Sequence, residues 1–280
     1  MRCHFAAAEN IGRCDNVGPE ERVVASIRQP IRMLCGVLSA LILGSSAWGT
    51  SSPPTLPLTL RLARLEGVPD QWIGSEILKV AYARLGIQVQ FVAVPPLRSL
   101  VESSEGRVDG EVQRILNVET QYPTLVALRP SINFIEPAAF VKRADFKVQG
   151  WESIAPYRVG IVRGVGSSEA GTRGMSRVTA VPSMDALMRM VAAERVDVAV
   201  NDRLSGVLIL HQLGLASEVH PLDPPLQRIP LYHLLHVKHL DLIPRVEETL
   251  RGMAAGGELE QIRARAVKAL AEEYGVKSLP

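Results

Sequence analysis

The sequence predicts an α/β protein of two lobes, each a mixed sheet covered by helices, with the chain crossing twice between them. Three observations carry this expectation. Strand-like and helix-like segments alternate from about residue 58 to the end. The alternation runs βαβαβ, breaks and restarts. A Pro-rich stretch, 221–230, then precedes one more strand and two closing helices.

The N-terminal segment comes first in the chain and differs from the rest. Arg28 and Arg32 precede an apolar run, Met33 to Gly44, and Ala47-Trp48-Gly49 follows as a small-residue exit. Positive flank, short apolar core and A-x-G exit are the parts of a secretory signal, and the run is too short for a bilayer core of about 30 Å. The expectation is a signal over 1–49, a linker over 50–57, and a periplasmic location for the remainder. Glu9, Asp15, Glu20 and Glu21 are unusual ahead of such a run. Either translation starts nearer Met33 or the charged region is extended.

Composition narrows the class. With 31 basic and 29 acidic residues and no Lys/Arg run, nucleic acid is not an expected partner. All three cysteines, Cys3, Cys14 and Cys35, fall within 1–49. The remainder therefore offers no disulfide, thiol nucleophile or thiolate metal site, and no cofactor motif stands out.

The elements follow in order. Leu58 to Leu65 alternates apolar and polar residues as a half-buried strand does. Ile73 to Leu85 places Ile73, Ile77, Val80, Ala81 and Leu85 at helical spacing, closed by Gly86. Ile87 to Val94 alternates again, Pro95-Pro96 breaks the chain before a helix at Leu97–Ser103, and Val108 to Ile115 is a third strand. Ala138 to Lys142 is read as a strand-like crossing between lobes. Tyr157 to Val162 is a strand feeding the turn Gly164-Val165-Gly166-Ser167-Ser168. Ser183 to Ala193 is a helix, Asp197 to Val200 a short buried strand, and Arg203 to Leu213 a helix. Leu231 to Val237 is strand-like, with helices near 244–253 and 258–273 after it. Lobe one is expected over 56–141 plus 231–280, and lobe two over 142–230.

Several of these segments carry a resemblance. Gly74-x-Glu76-Ile77-Leu78 through Arg84-Leu85-Gly86, Arg98-Ser99-Leu100 followed by Gly106-x-x-Asp109-Gly110, Tyr157-Arg158-Val159-Gly160-Ile161 with Gly164, Asp197 to Asp202, and Gly256-Gly257-Glu258-Leu259 resemble, in that order, the family 3 extracytoplasmic solute-binding proteins. These are amino-acid receptors of ABC transporters. The resemblance spans about 58–275 and implies two lobes that close on a ligand. Receptors of that family carry an Arg shortly after the third strand, which clamps the ligand carboxylate. The matching stretch here, Asn117 to Pro123, has none, and Arg114 is the nearest. The chain in this respect resembles a divergent branch.

The candidate ligand residues lie at strand ends, where open α/β sheets bind their ligands. Arg114 ends the third strand, and a guanidinium there can take a carboxylate bidentately. The alternative is a surface Arg paired with Glu111 or Glu119. Arg98 opens a helix after a strand. Glu111 is a further candidate, or else the neutralising partner of Arg114. The turn with Gly164 and Ser167 offers N–H groups to an anion, with Arg163 adding charge, unless it is an ordinary tight turn. Asp202 matches the position where the family holds a ligand ammonium, and could equally cap the helix from Arg203. Glu66, after the first strand, is a carboxylate of the same kind. His233, His236 and His239 do not make a metal site, because residues three apart on a strand face opposite ways.

The function expected is capture of a small polar solute, anionic or amino-acid-like, by a monomer that passes it to an ABC permease. The alternatives are a periplasmic enzyme on the same fold, such as the dehydratases that share it, and a sensor that signals to a separate membrane partner.

Overall fold

Strand β1 (Thr59–Leu65) is the axis of the first sheet, because its alternation buries Leu60 and Leu62 on one face. The computed structural model describes residues 58–277, so the expected signal and linker lie outside the described residues. β1 pairs in parallel with β2 (Gln88–Val94) on one side and with β3 (Gly110–Arg114) on the other. The βαβ crossovers are made by α1 (Gln71–Arg84) and α2 (Pro96–Ser104). Beyond β3, α3 (Val118–Gln121) leads into β4 (Leu125–Ala127) and β5 (Asn133–Ile135). The long strand β11 (Ile229–His236) runs antiparallel to β3, β4 and β5, giving the order β2-β1-β3-β11-β4. The sheet is therefore mixed.

The second sheet has the order β10-β6-β9-β7-β8, from β6 (Pro137–Val141), β7 (Val159–Val162), β8 (Val178–Val181), β9 (Val198–Asp202) and β10 (His220–Pro221). β7 is parallel to β8 and β9, whereas β6 is antiparallel to β9 and β10. Helices α4 (Gly166–Gly171), α5 (Met184–Ala192) and α6 (Arg203–Gln212) belong to this half. Ser183 caps α5, its hydroxyl accepting from the Ala186 N–H at 3.2 Å.

The last two helices, α7 (Ile243–Ala255) and α8 (Glu258–Glu273), return to the first half and pack on α1. The seam is made by Ile73, Ile77, Leu78 and Ala81 of α1 with Leu259, Ile262, Ala266 and Leu270 of α8, all buried. Each large aliphatic side chain buried there contributes about 1.5–3 kcal/mol. Among the described residues no helix is long and apolar enough to cross a membrane.

The crossings differ from the sequence expectation. Residues 138–142 are not a link between lobes, since β6 is buried along its whole length inside the second sheet. Five consecutive apolar residues there need cover on both faces, which only an interior strand provides. The outward crossing is at Glu136, between β5 and β6. The return also comes earlier than 231: Leu226 still donates its N–H to Pro137 O at 2.7 Å, and Ile229 already pairs with Ile135. Antiparallel β5 and the first residues of β11 thus form a short ribbon at the hinge.

Helix α1 begins at Gln71, two residues before the expected start. Gly74 explains how close it sits to β3: a Cβ there would lie 2.5 Å from Gln113 Oε1 and 2.9 Å from Val112 Cγ1. Only glycine allows that approach, and it brings Gln71 and Gln113 side by side.

Candidate functional site

A cleft of about 80 Å³ lies between the lobes, at the carboxyl ends of β1, β3, β7 and β9. The first lobe brings Asp70 and Gln71 from the start of α1 and Gln113 and Arg114 from the end of β3. The second brings Gly164 to Ser167 from the turn after β7, and Asn201 and Asp202 from the end of β9. Leu65, Ile115, Met184 and Leu231 supply apolar walls. The volume is far below the few hundred Å³ of a pocket for a drug-sized ligand, so the space suits a small solute.

The polar groups of the cleft are held by bonds behind it. Gln71 Nε2 donates to Gln113 O at 3.4 Å. Asn201 Oδ1 accepts from the Asp202 N–H at 3.0 Å. Arg114 Nε donates to Glu111 Oε2 at 2.9 Å. Gln71 Oε1, Arg114 Nη2 and Asn201 Nδ2 are the buried side-chain polar atoms without a hydrogen-bond partner among the described residues, and all three belong to lining residues of this cleft. Native proteins pair nearly all such atoms, because each one left bare costs about 1–3 kcal/mol.

Two carboxylates stand beside them. Asp70 is buried and accepts from Gln113 Nε2 at 2.8 Å. Burial, reinforced by the charge of Asp202, pushes its pKa well above the usual carboxylate range. Asp202 keeps some exposure as a residue, yet its carboxylate turns inward: Oδ1 accepts from the Glu136 N–H and Oδ2 from the Ser205 N–H, each at 3.0 Å. Burial raises its pKa too, with the two N–H donors opposing the rise.

The structure brings Arg114, Asp202, Gly164 and Ser167 of the sequence candidates to the cleft, and leaves the others outside its lining. Arg114 is no surface residue: it is 8% exposed, and its partner Glu111 is fully buried, accepting also from the Ser99 and Ser103 hydroxyls. Glu111 therefore neutralises and orients Arg114. Arg98 is exposed and faces Glu102 at 3.6 Å, one turn along its own helix. Arg163 is exposed and donates to Ala180 O at 3.4 Å. Glu66 is exposed on the rim of a separate depression that also involves Trp72 and Tyr274. The N–H of Gly164 is taken by Glu169 Oε1 at 2.7 Å. Asp202 is the N-cap of α6, as one alternative had it.

Asp70, Gln71, Gln113 and Asn201 were absent from the sequence candidates. A signal for Asp70 did exist. It lies between β1 and α1 and opens α1, as Asp202 ends β9 and opens α6, a strand-to-helix corner in the other lobe. The histidines stay apart from this site. His233 is fully buried, its Nδ1–H donating to Glu111 O at 2.7 Å and its Nε2 accepting from the Tyr82 hydroxyl at 2.7 Å. His239 meets Asp109 at 2.7 Å.

Known proteins place this geometry in context. No protein family profile matches the chain. An uncharacterized protein of Shewanella oneidensis is 22% identical over 199 residues, covering 69% of this chain and 75% of its own. Among solved structures, a histidine kinase sensor domain with similarity to periplasmic binding proteins superposes with a TM-score of 0.64 at 18% identity, over 75% of this chain and 96% of its own. An ancestral arginine-binding protein bound to glutamine superposes at 0.62 and 16% identity, over 75% and 98%. The chain has the two-lobe, periplasmic-binding-protein-like fold of these solved structures.

Proposed function

We propose that the protein is a periplasmic binding protein that traps a small zwitterionic, amino-acid-like solute between its lobes and presents it to a separate membrane partner. The observation that carries the proposal is the set of three bare, buried polar atoms on residues that line one cleft. Arg114 Nη2 and Asn201 Nδ2 are donors suited to a carboxylate, and the uncapped first turn of α4 adds its N–H groups. Gln71 Oε1 is an acceptor suited to an ammonium, and Asp70 and Asp202 line the same cleft. A solute with both charges satisfies all three atoms at once.

The expected partner is an ABC permease. The likeness to a kinase sensor domain supports a second reading, in which the same capture is reported to a sensor. Export through a signal over 1–49 and action as a monomer are parts of the same proposal.

Mass spectrometry of small molecules released from the purified, denatured protein tests it. An amine-bearing carboxylic acid in near-equal amount to protein is the expected result, with calorimetric affinity for it reduced about tenfold or more in Asn201→Ala, the loss of one charge-assisted bond. No bound solute, together with no binding across a panel of amino acids, would sink the proposal. Turnover of the released compound would favour the enzyme alternative instead.

A further inference from the structure

The two lobes touch around the cleft. The Asp70 N–H donates to Ser205 Oγ at 3.4 Å, from the first lobe to the second. A Cβ on Gly166 would lie 3.5 Å from Ile115 Cδ1, and one on Gly164 2.9 Å from Leu97 Cδ2, so the turn after β7 rests against the first lobe. The cleft volume of about 80 Å³ is therefore what the lobes leave when they are in contact. An apolar cavity of about 150 Å³ takes benzene, and about half of that takes a solute of only a few non-hydrogen atoms. Charge-assisted hydrogen bonds bring atoms to about 2.8 Å, where apolar contacts stop near about 3.5–4.0 Å, so a zwitterion fits such a space more closely than a hydrocarbon does.

The lining has no charge to spare for a side chain. Its charged residues are Asp70, Arg114 and Asp202, and Arg114 is paired with Glu111. These groups, with Gln71 and Asn201, serve the two ends of the zwitterion. Gln113 is spent on Asp70 through Nε2 at 2.8 Å and on Asn133 through Oε1 at 3.2 Å. Much of the remaining wall is apolar: Val68, Ile115, Ile135, Met184 and Leu231. A charged or amide side chain placed against these residues would lose water and gain no partner.

Met184 is a firm part of that wall. It is 5% exposed and opens α5, directly after the Ser183 cap, so a helix end holds it. Ile115 is half-buried and reaches the Gly166 turn from the other lobe.

We propose that the solute is a neutral amino acid with the shortest of side chains, of the glycine and alanine class, and that Met184 and Ile115 set this limit from opposite lobes. The proposal rests on the cleft reading above. A longer side chain meets these two walls before the lobes reach contact, and closure is what brings Arg114 and Asn201 to bear on one ligand.

Calorimetric titration of the full chain with glycine, alanine, leucine, glutamine, arginine and glutamate is the test. Glycine or alanine should bind about tenfold more tightly than any of the other four, the discrimination that a packed apolar wall gives against added methylenes. Asn201→Ala should weaken that binding about tenfold, which ties it to the cleft. Met184→Ala should raise the affinity for leucine about tenfold relative to alanine, and Ile115→Ala should do the same if Met184→Ala does not fold. Tightest binding of leucine, glutamine, arginine or glutamate would overturn the size limit and leave the cleft reading standing. Alanine and glycine binding untouched in Asn201→Ala, or the wild-type order of affinities kept in both wall variants, would also overturn the proposal. Binding of none of the six would overturn both it and the cleft reading.

Discussion

Asp70 and Asp202 reach one buried site from opposite lobes, with Ser205 between them. The Ser205 hydroxyl lies 3.5 Å from Asp70 Oδ1, and the Ser205 N–H donates to Asp202 Oδ2 at 3.0 Å. Two carboxylates brought together out of water cannot both ionise cheaply, and both pKa values are raised. The arrangement favours a proton or the cationic end of a ligand beside them.

The first prediction follows from that pair. A raised carboxylate pKa stabilises the folded form below the ordinary value near 3.8, and that stabilisation is lost as pH rises through the folded value. Binding a ligand ammonium pulls the pair toward ionisation and expels a proton. Calorimetric enthalpies measured in buffers of different ionisation enthalpy should therefore differ, with a slope indicating proton release. Asp70→Asn should flatten that slope; an unchanged slope would place the proton elsewhere.

Arg114 is the second case. Its removal leaves the Glu111 carboxylate fully buried with only the Ser99 and Ser103 hydroxyls. Arg114→Ala is expected to cost about 3–5 kcal/mol of stability, the range for breaking a buried pair. The double variant Arg114→Gln with Glu111→Gln should lose markedly less than the two single losses summed. Urea unfolding of Arg114→Gln, Glu111→Gln and the double variant reads this, and simple additivity would contradict the pairing.

His233 gives a pH prediction. Burial holds its pKa down at about 4, against 6.5 ordinarily. The native ring stays neutral while the unfolded chain takes up a proton, so its contribution is intact above pH 6.5 and is lost as pH falls toward 4. The loss amounts to about 3 kcal/mol. Asp70 and Asp202 act in the opposite sense over the acid range, so the comparison must be between wild type and His233→Gln. The wild type should lose more stability from pH 7 to 4.5 than the variant does. Parallel curves would show that the histidine protonates freely in the folded state.

Gly164 lies where the two lobes touch. Its φ is +81°, and a Cβ there would sit 2.9 Å from Cδ2 of Leu97, which is exposed on the other lobe. Gly164→Val adds both a strained backbone, about 1–3 kcal/mol, and an obstruction to the contact. Small-angle scattering should show the wild type contracting when its solute is added and the variant contracting less, with weaker binding. Equal contraction would mean that the turn does not gate closure.

Local pattern was enough for most of the elements. The alternation of β1, the spacing of Ile73, Ile77 and Ala81, and the restart at Tyr157 come from residues near one another in the chain, and the periods of strand and helix are written there. Strand ends also marked Arg114 and Asp202, because the sheet places its carboxyl ends at the ligand side. The same logic misplaced Arg98, Arg163 and Glu66, since a strand end does not say which way a long side chain turns.

Only the tertiary structure decided the rest. Whether 138–142 crosses between lobes or lies inside a sheet depends on β9, distant in sequence and directly hydrogen-bonded in space. Gln71 and Asn201 look ordinary along the chain. They become candidate site residues because Gln113 O and the Asp202 N–H occupy one end of each amide and leave the other end buried and without a partner, on residues that line the cleft. Periodicity is a property of neighbours, and a hydrogen bond left unmade is a property of the packed whole; the sequence by itself determined most of the strands and helices, and the packing determined where the chain crosses between the lobes and what lies between them.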